Sequence, residues 1–349
     1  MNAARASVLS RDGGATADRP ALVIGLVNNM PDAALEATER QFGSLLAAAA
    51  GARPVELRLF ALPEVPRGTA GRAYVETRYE GPGSLRDAGL DGLIVTGTEP
   101  RSPRLEQEPY WGALVALIDW AQRHTVSSVM SCLAAHAAAL CLDGIERRRF
   151  PDKLFGVFPC KASASHPLTA GFGDARRVPH SRFNDLPEEK LASAGYQVLA
   201  RADAVGADLF TKDCGSLFVF VQGHPEYDRR ALMREYRRDV GRFLGREREH
   251  YPQLPQGYFD DGVARLLAIF RERALGQRDP GLLSQFPVLE DACLPEATWR
   301  EEAVRLYANW LELLEQRKCA AARVESAMMA SPLRAGLSGH GAQDASHGP

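Results

Sequence analysis

A short apolar run, residues 127–131, ends on Cys132 and passes without a spacer into an Ala-rich stretch, 133–142. An extended run that turns straight into a helix is half of a β–α–β unit, and the same pattern recurs through the first half of the chain. Residues 21–28 are apolar and β-rich and close on Asn-Asn-Met-Pro; Asp32 can then cap a helix running to about residue 49. Residues 55–60 alternate as a second strand. Residues 92–96 read as a buried strand closed by Gly97, and 110–123 carry apolar residues at helical spacing. Strand, helix, strand, helix in this order predicts an α/β fold with a mainly parallel sheet and helices on both faces. Residues 66–89, rich in Gly and Arg, read as loop, as do the proline-bearing residues 98–109.

Past Phe155 the pattern changes to short strands near 155–159, 196–201, 209–212 and 216–221, joined by turns. They read as a mixed-strand extension of the same sheet rather than a second domain. Helices are expected over 228–244, 263–275 and, strongly amphipathic, 299–317; the remainder of 245–294 is Pro-rich and irregular. The expected organisation is a disordered lead-in over 1–20, one domain over 21–322, and a disordered Gly/Ser/His-rich tail over 323–349. His340 and His347 in that tail raise no expectation of a metal.

Composition narrows the function. At 45% hydrophobic and 25% charged residues, with a net charge of −2, the chain has no electrostatic footprint for nucleic acid or a membrane surface. Arg147-Arg148-Arg149 is short and reads as a solvated turn. No apolar run approaches the roughly 18 residues that span a bilayer. The N-terminal residues also lack a signal-like apolar core. The six cysteines show no zinc-type CxxC pattern and read as reduced thiols, which places the protein in the cytoplasm with no metal expected.

Two segments carry the chemistry. Cys132 sits where strand turns to helix, and free N–H groups with partial positive charge favour its thiolate there. The Leu133 N–H is the candidate oxyanion donor, and Ala134 and Ala135 allow a tight turn. Far along the chain, Gly223-His224-Pro225-Glu226-Tyr227 follows the apolar run 217–221. In extended chain His224 and Glu226 point the same way, so the carboxylate can orient the imidazole. Taken singly, Cys132 reads equally as a small buried hydrophobe and His224–Glu226 as a helix-start cap. Together, at the carboxyl ends of predicted strands where open α/β sheets place their sites, they read as nucleophile, base and orienter. Cys141, about two and a half turns past Cys132, points away and reads as packing.

On these and further residues the chain resembles the homoserine O-acyltransferases of the homoserine O-succinyltransferase type. That family has a flavodoxin-like, class I glutamine amidotransferase-like fold. The matching stretches run in order: Asp91 to Gly97, Pro109-Tyr110-Trp111, the Cys132 elbow, Lys153 to Val157, Pro179 to Arg182, Gly223 to Asp228, Arg238-Asp239, Ala297 to Arg300 and Asn309-Trp310. The resemblance implies ping-pong acyl transfer with no bound cofactor. Acyl-CoA, as succinyl-CoA or acetyl-CoA, is the co-substrate and L-homoserine the acceptor, in the first step of methionine biosynthesis from homoserine. Cys132 would carry the acyl group as a thioester, His224 would deprotonate the homoserine hydroxyl, and Glu226 would orient His224. Lys153, Ser181 and Arg238 match substrate-contacting positions, Arg238 as the clamp on the amino acid's carboxylate. Arg101, with Glu99 nearby, falls in the loop that selects the acyl group, and an arginine there tilts the expectation to succinyl. The family commonly dimerises, and the helix over 299–317 is compatible with that.

The chain departs from the family's pattern at His136, where a Gln is usual, and after Met30-Pro31, where a lysine pair is absent. Residues 245–294 are also longer than expected. Two other readings use the same fold. A glutaminase or amide hydrolase would employ the same Cys132, His224 and Glu226; a non-catalytic binding protein would need none of them. Acyl-CoA-dependent CoA release separates the first reading from the hydrolase. Thiol reactivity at Cys132 separates both enzymes from the binding protein.

Overall fold

The apolar runs of the first half lie side by side. A computed structural model describes residues 7–9, 20–81, 83–290 and 293–330 of the chain. Its strands are β1 (Ser7–Leu9), β2 (Leu22–Val27), β3 (Val55–Phe60), β4 (Gly92–Val95), β5 (Ser127–Ser131), β6 (Arg148–Ala162), β7 (Arg176–Asp185), β8 (Gln197–Ala202), β9 (Gly206–Cys214) and β10 (Ser216–Val221). Its α-helices are α1 (Asp32–Ala50), α2 (Thr69–Arg78), α3 (Trp111–His124), α4 (Leu133–Asp143), α5 (Glu188–Ser193), α6 (Ala231–Leu244), α7 (Asp261–Gly276) and α8 (Arg300–Ala330). The strands form a ten-stranded sheet in the order β1-β3-β2-β4-β5-β10-β9-β8-β6-β7.

The pairings from β3 through β2, β4 and β5 to β10 are parallel. From β10 outward through β9, β8, β6 and β7 they are antiparallel, as is β1 on β3. This is the mixed α/β sheet with an extension that the apolar pattern predicts. Strands β4, β5 and β10 are buried at every position, which requires cover on both faces. Side chains alternate accordingly: Leu93, Val95, Phe218 and Phe220 pack with α3 and α4, while Ile94, Leu217 and Val219 pack with α1 and α8. Trp310 of α8 donates its indole N–H to Ser127 Oγ at 3.0 Å, so that helix spends its apolar face on the sheet. A third core joins α6, α7, Phe155 and Trp299 and accounts for the long 245–294 region.

The structure departs from expectation where sequence carries little apolar signal. Asp32 does not cap α1: the N-cap is Pro31, and the Asp32 carboxylate accepts the Gly68 N–H at 2.8 Å. Residues expected as loop contain α2, whose one buried residue is Gly71, so no apolar stripe announces it. Strand β7 buries Arg176, His180, Arg182 and Asp185, and its polarity hides it. The lead-in contains β1, too short to signal itself, and α8 continues to Ala330, past the boundary expected at 322. The disorder expected for 1–6, 10–19 and 331–349, with His340 and His347, lies outside the described residues. Among the described residues no helix is long and apolar enough to cross a membrane.

Candidate active site

Cys132 caps α4 at the carboxyl end of β5 with φ 52° and ψ −111°. A positive φ costs a non-glycine residue energy, and surrounding bonds hold it there. The Cys132 N–H donates to Val221 O of β10 at 2.7 Å, and its carbonyl accepts from Ala135 and His136. The loop after β4 comes against this elbow at Gly97, where a Cβ would stand 2.9 Å from Leu133 N and 2.6 Å from Leu133 Cβ. Only glycine allows that approach. Leu133 N–H, the predicted oxyanion donor, is the first of its helix and has no helical acceptor.

His224 leaves the neighbouring strand end. Its N–H donates to Pro179 O at 2.8 Å. Its Nδ1 donates to Glu226 Oε1, also at 2.8 Å, which turns Nε2 towards Cys132. Burial works to lower the pKa of the ring, but the Glu226 carboxylate and the Cys132 sulfur outweigh it and hold it well above the usual histidine value. The ring stacks on Tyr227 at 4.2 Å and 14°. The other Glu226 oxygen is buried and has no hydrogen-bond partner among the described residues. The structure thus brings Cys132, His224 and Glu226 together.

Tyr227 links this trio to a second cluster. Its hydroxyl donates to Glu235 Oε1 at 2.5 Å. The other Glu235 oxygen accepts from Ser181 Oγ and, at 3.2 Å, from Lys153 Nζ, and lies 3.5 Å from Arg238. Lys153 Nζ also donates to Asp239 at 2.9 Å, and Arg238 to Asp239 at 3.0 Å. Lys153, Ser181 and Arg238 therefore converge on Glu235, whose only signal in the sequence is its i,i+3 spacing with Arg238. Burial would raise the Glu235 pKa, but Lys153 and Arg238, then the two hydroxyls, hold it down at about 2. Arg238 remains 41% exposed and open to a further anion.

The loop after β4, expected from the resemblance to select the acyl group, is tied at several points. Glu99 pairs with both Arg242 nitrogens of α6, at 2.5 and 2.8 Å. The N–H groups of Arg101 and Ser102 donate to Glu108 Oε1, each at 2.6 Å. The Arg101 side chain is exposed, and among the described residues no carboxylate pairs with it. His136 donates from Nε2 to Gln222 at 2.8 Å, and burial, aided by Arg182, lowers its pKa to about 3. It belongs to a buried hydrogen-bond network. Cys141 packs against the α3–α4 core. Cys160, His180 and Asp208 cluster within 4.8 Å, but the Arg176 guanidinium already neutralises Asp208 there, and a cation has no vacancy to fill.

A thiol on a strained strand-to-helix elbow, faced by a histidine–glutamate pair from the next strand end, gives this open-sheet α/β protein a candidate nucleophile, base and orienter. The chain matches the family described as homoserine O-succinyltransferase over residues 1–319. It is 50% identical over 301 residues to the homoserine O-succinyltransferase of Methylorubrum extorquens, covering 86% of this chain and 89% of that one. To the Rhodopseudomonas palustris homoserine O-succinyltransferase it is 48% identical over 288 residues, covering 82% and 86%. The chain belongs to the homoserine O-succinyltransferase family of acyltransferases. Among solved structures, a glutamine amidotransferase from Methylobacillus flagellatus aligns over 84% of this chain and 94% of its own, with 17% identity and a TM-score of 0.48.

Proposed function

We propose that this protein transfers a succinyl group from succinyl-CoA to the hydroxyl of L-homoserine through a thioester on Cys132, in the cytoplasm, at the opening of methionine biosynthesis. The observation that carries the reading is the 2.8 Å bond from His224 Nδ1 to Glu226, which leaves Nε2 for the sulfur at the elbow. Cys132 attacks the thioester carbonyl of the donor, and the developing oxyanion takes the Leu133 N–H. His224 receives the thiol proton and passes it to the departing CoA sulfur. In the second half-reaction His224 takes the homoserine hydroxyl proton as the oxygen attacks the acyl-enzyme, then returns it to the Cys132 sulfur. Glu226 fixes the tautomer throughout.

The second cluster suits the acceptor. Arg238 offers a planar cation for the amino acid's carboxylate, and the ionised Glu235 offers a charge for its ammonium. Tyr227 carries that position to the His224 ring. The test is intact-protein mass after mixing with succinyl-CoA or acetyl-CoA and no acceptor. A succinyl adduct that is lost in Cys132→Ala is expected. An unmodified protein with both donors would overturn acyl transfer and direct attention to glutamine hydrolysis.

A further inference from the structure

The arginines near the cleft differ in what neutralises them. Arg238 is paired with Asp239 and Glu235, and Arg242 with Glu99. Arg147, between α4 and β6, is half-buried rather than part of a solvated turn, and among the described residues no carboxylate lies within ion-pair distance of it. Its Nη2 donates to Pro103 O at 3.3 Å, and its Nη1 is buried without a partner. The Tyr110 hydroxyl, Glu108 Oε2 and His136 Nδ1 are also buried without partners. All three residues act electrostatically on Arg147 or feel it. Tyr110 is only 3% exposed and Glu108 4%. Buried polar atoms are nearly always partnered, so orphans from the α3 start, the first turn of α4 and the β6 approach together mark a place built for something polar.

We propose that Arg147 and Tyr110 form the subsite that holds the distal carboxylate of the succinyl group while its carbonyl is on Cys132. This rests on the acyl-transfer reading above. A guanidinium and a phenol both donate, and a carboxylate accepts from both. The Arg147 charge also acts on Cys132, and burial lowers its pKa, whereas Arg238 and Arg242 are raised by their carboxylates. Among the described residues Arg147 has no ion-paired carboxylate, and Glu108 acts on it only from beyond ion-pair distance. The other candidates are committed or turned away: Lys153 to Glu235 and Asp239, Arg242 to Glu99, and Arg101 to solvent. Glu108 uses one oxygen to hold the Arg101 and Ser102 amides, and the other works against an incoming anion. The loop that carries Arg101 thus reaches the acyl group through Pro103 on Arg147 and through Glu108, not through the Arg101 side chain.

The experiment is CoA release without acceptor, comparing succinyl-CoA with butyryl-CoA, which has the same chain length and a methyl in place of the carboxylate. Arg147→Met is expected to lower kcat/KM for succinyl-CoA about a hundredfold, the scale of losing charge-assisted hydrogen bonds, and to leave butyryl-CoA unchanged or improved. Tyr110→Phe, which keeps the packed ring, should cost succinyl-CoA about tenfold. Glu108→Gln should favour succinyl-CoA further. Parallel loss with both donors in Arg147→Met, or no change with either, overturns the subsite. A wild-type protein acylated by butyryl-CoA or acetyl-CoA but not by succinyl-CoA overturns the subsite and leaves acyl transfer standing. A wild-type protein acylated by none overturns acyl transfer itself, and the subsite falls with it.

Discussion

The parallel half of the sheet and its antiparallel extension solve burial in opposite ways. In β2, β4, β5 and β10 the buried side chains are mainly aliphatic and aromatic, packed between two helical layers. In β7 and β9 the buried set includes Arg176, His180, Arg182, Asp185 and Asp208, joined by the ion pairs Arg176–Asp208 and Arg182–Asp185, with the neutral His180 ring 3.2 Å from Asp208. Packing tolerates small changes in shape; a buried charge network tolerates no missing member. Cys132 and His224 stand at strand ends of the packed half. The charged half lies against them, with His224 N–H on Pro179 O of β7 and Gly223 lodged against Val178, Asp208 and His180.

The largest effect is expected at the strained elbow of the packed half. Cys132→Ala should abolish CoA release and the acyl adduct while the unfolding transition stays in place, since only one partly buried sulfur is lost. Turnover close to normal would break the thioester mechanism. His224→Ala should cut the rate by at least about a hundredfold, the scale of general base catalysis, and a near-normal rate would move the base elsewhere.

In the charged half, Asp208→Leu strands Arg176 and His180 and should cost about 3–5 kcal/mol by chemical denaturation. Adding Arg176→Met should restore much of that loss. A loss of that size that the second substitution does not relieve would mean that geometry, not uncompensated charge, governs this region. Leu93→Ala in the packed half should cost about 2–5 kcal/mol, with no single partner substitution able to rescue it.

Acid should also separate the halves. Burial lowers the pKa of His136 to about 3 and that of His180 to about 4. The unfolded histidines, near 6.5, bind protons that the folded ones refuse. Their contribution to stability is therefore complete above about pH 6.5 and declines as pH falls towards the folded values, whereas His224, held above its usual value, contributes in the opposite sense and loses its share as pH rises. Glu235 and Asp208, both held at about 2, add a loss that starts near the unfolded carboxylate range of about 4 and ends near 2. His136→Asn should flatten the upper part of this decline. An unfolding midpoint constant from pH 7 to 4 would contradict the neutral buried histidines.

The same contrast explains what could be read from the chain. Strand runs such as 92–96 and 217–221 have to be apolar because both faces are covered, so the mainly parallel sheet with its mixed extension is legible, and the two segments whose Cys132, His224 and Glu226 the fold brings together lie at the ends of such runs. A strand such as β7 is stabilised by partners distant in sequence, Asp208 for Arg176 and Gln222 for Arg182, and no local period reveals it. Glu235 was hidden for the same reason, being defined by Lys153 and Ser181 on β6 and β7. Three adjacent arginines look like a solvated run, and only the fold separates the half-buried Arg147 from its exposed neighbours.

The smallest expected effect tests that last point. Arg101 lies in the loop expected to select the acyl group and Arg147 in the proposed subsite, and linear position favours Arg101 as the partner of a succinyl carboxylate. Its side chain is exposed, however, and what the loop uses at that position is the backbone N–H, held by Glu108. Arg101→Ala keeps that N–H, and an exposed charge is weakened by solvent and salt. It should change kcat/KM for succinyl-CoA by less than about threefold, the scale of a surface charge contribution below 1 kcal/mol. A loss nearer a hundredfold, specific to succinyl-CoA and absent with butyryl-CoA, would mean that the loop closes over the donor and carries Arg101 to the carboxylate. Acyl choice would then be made by loop closure and not by the buried pocket.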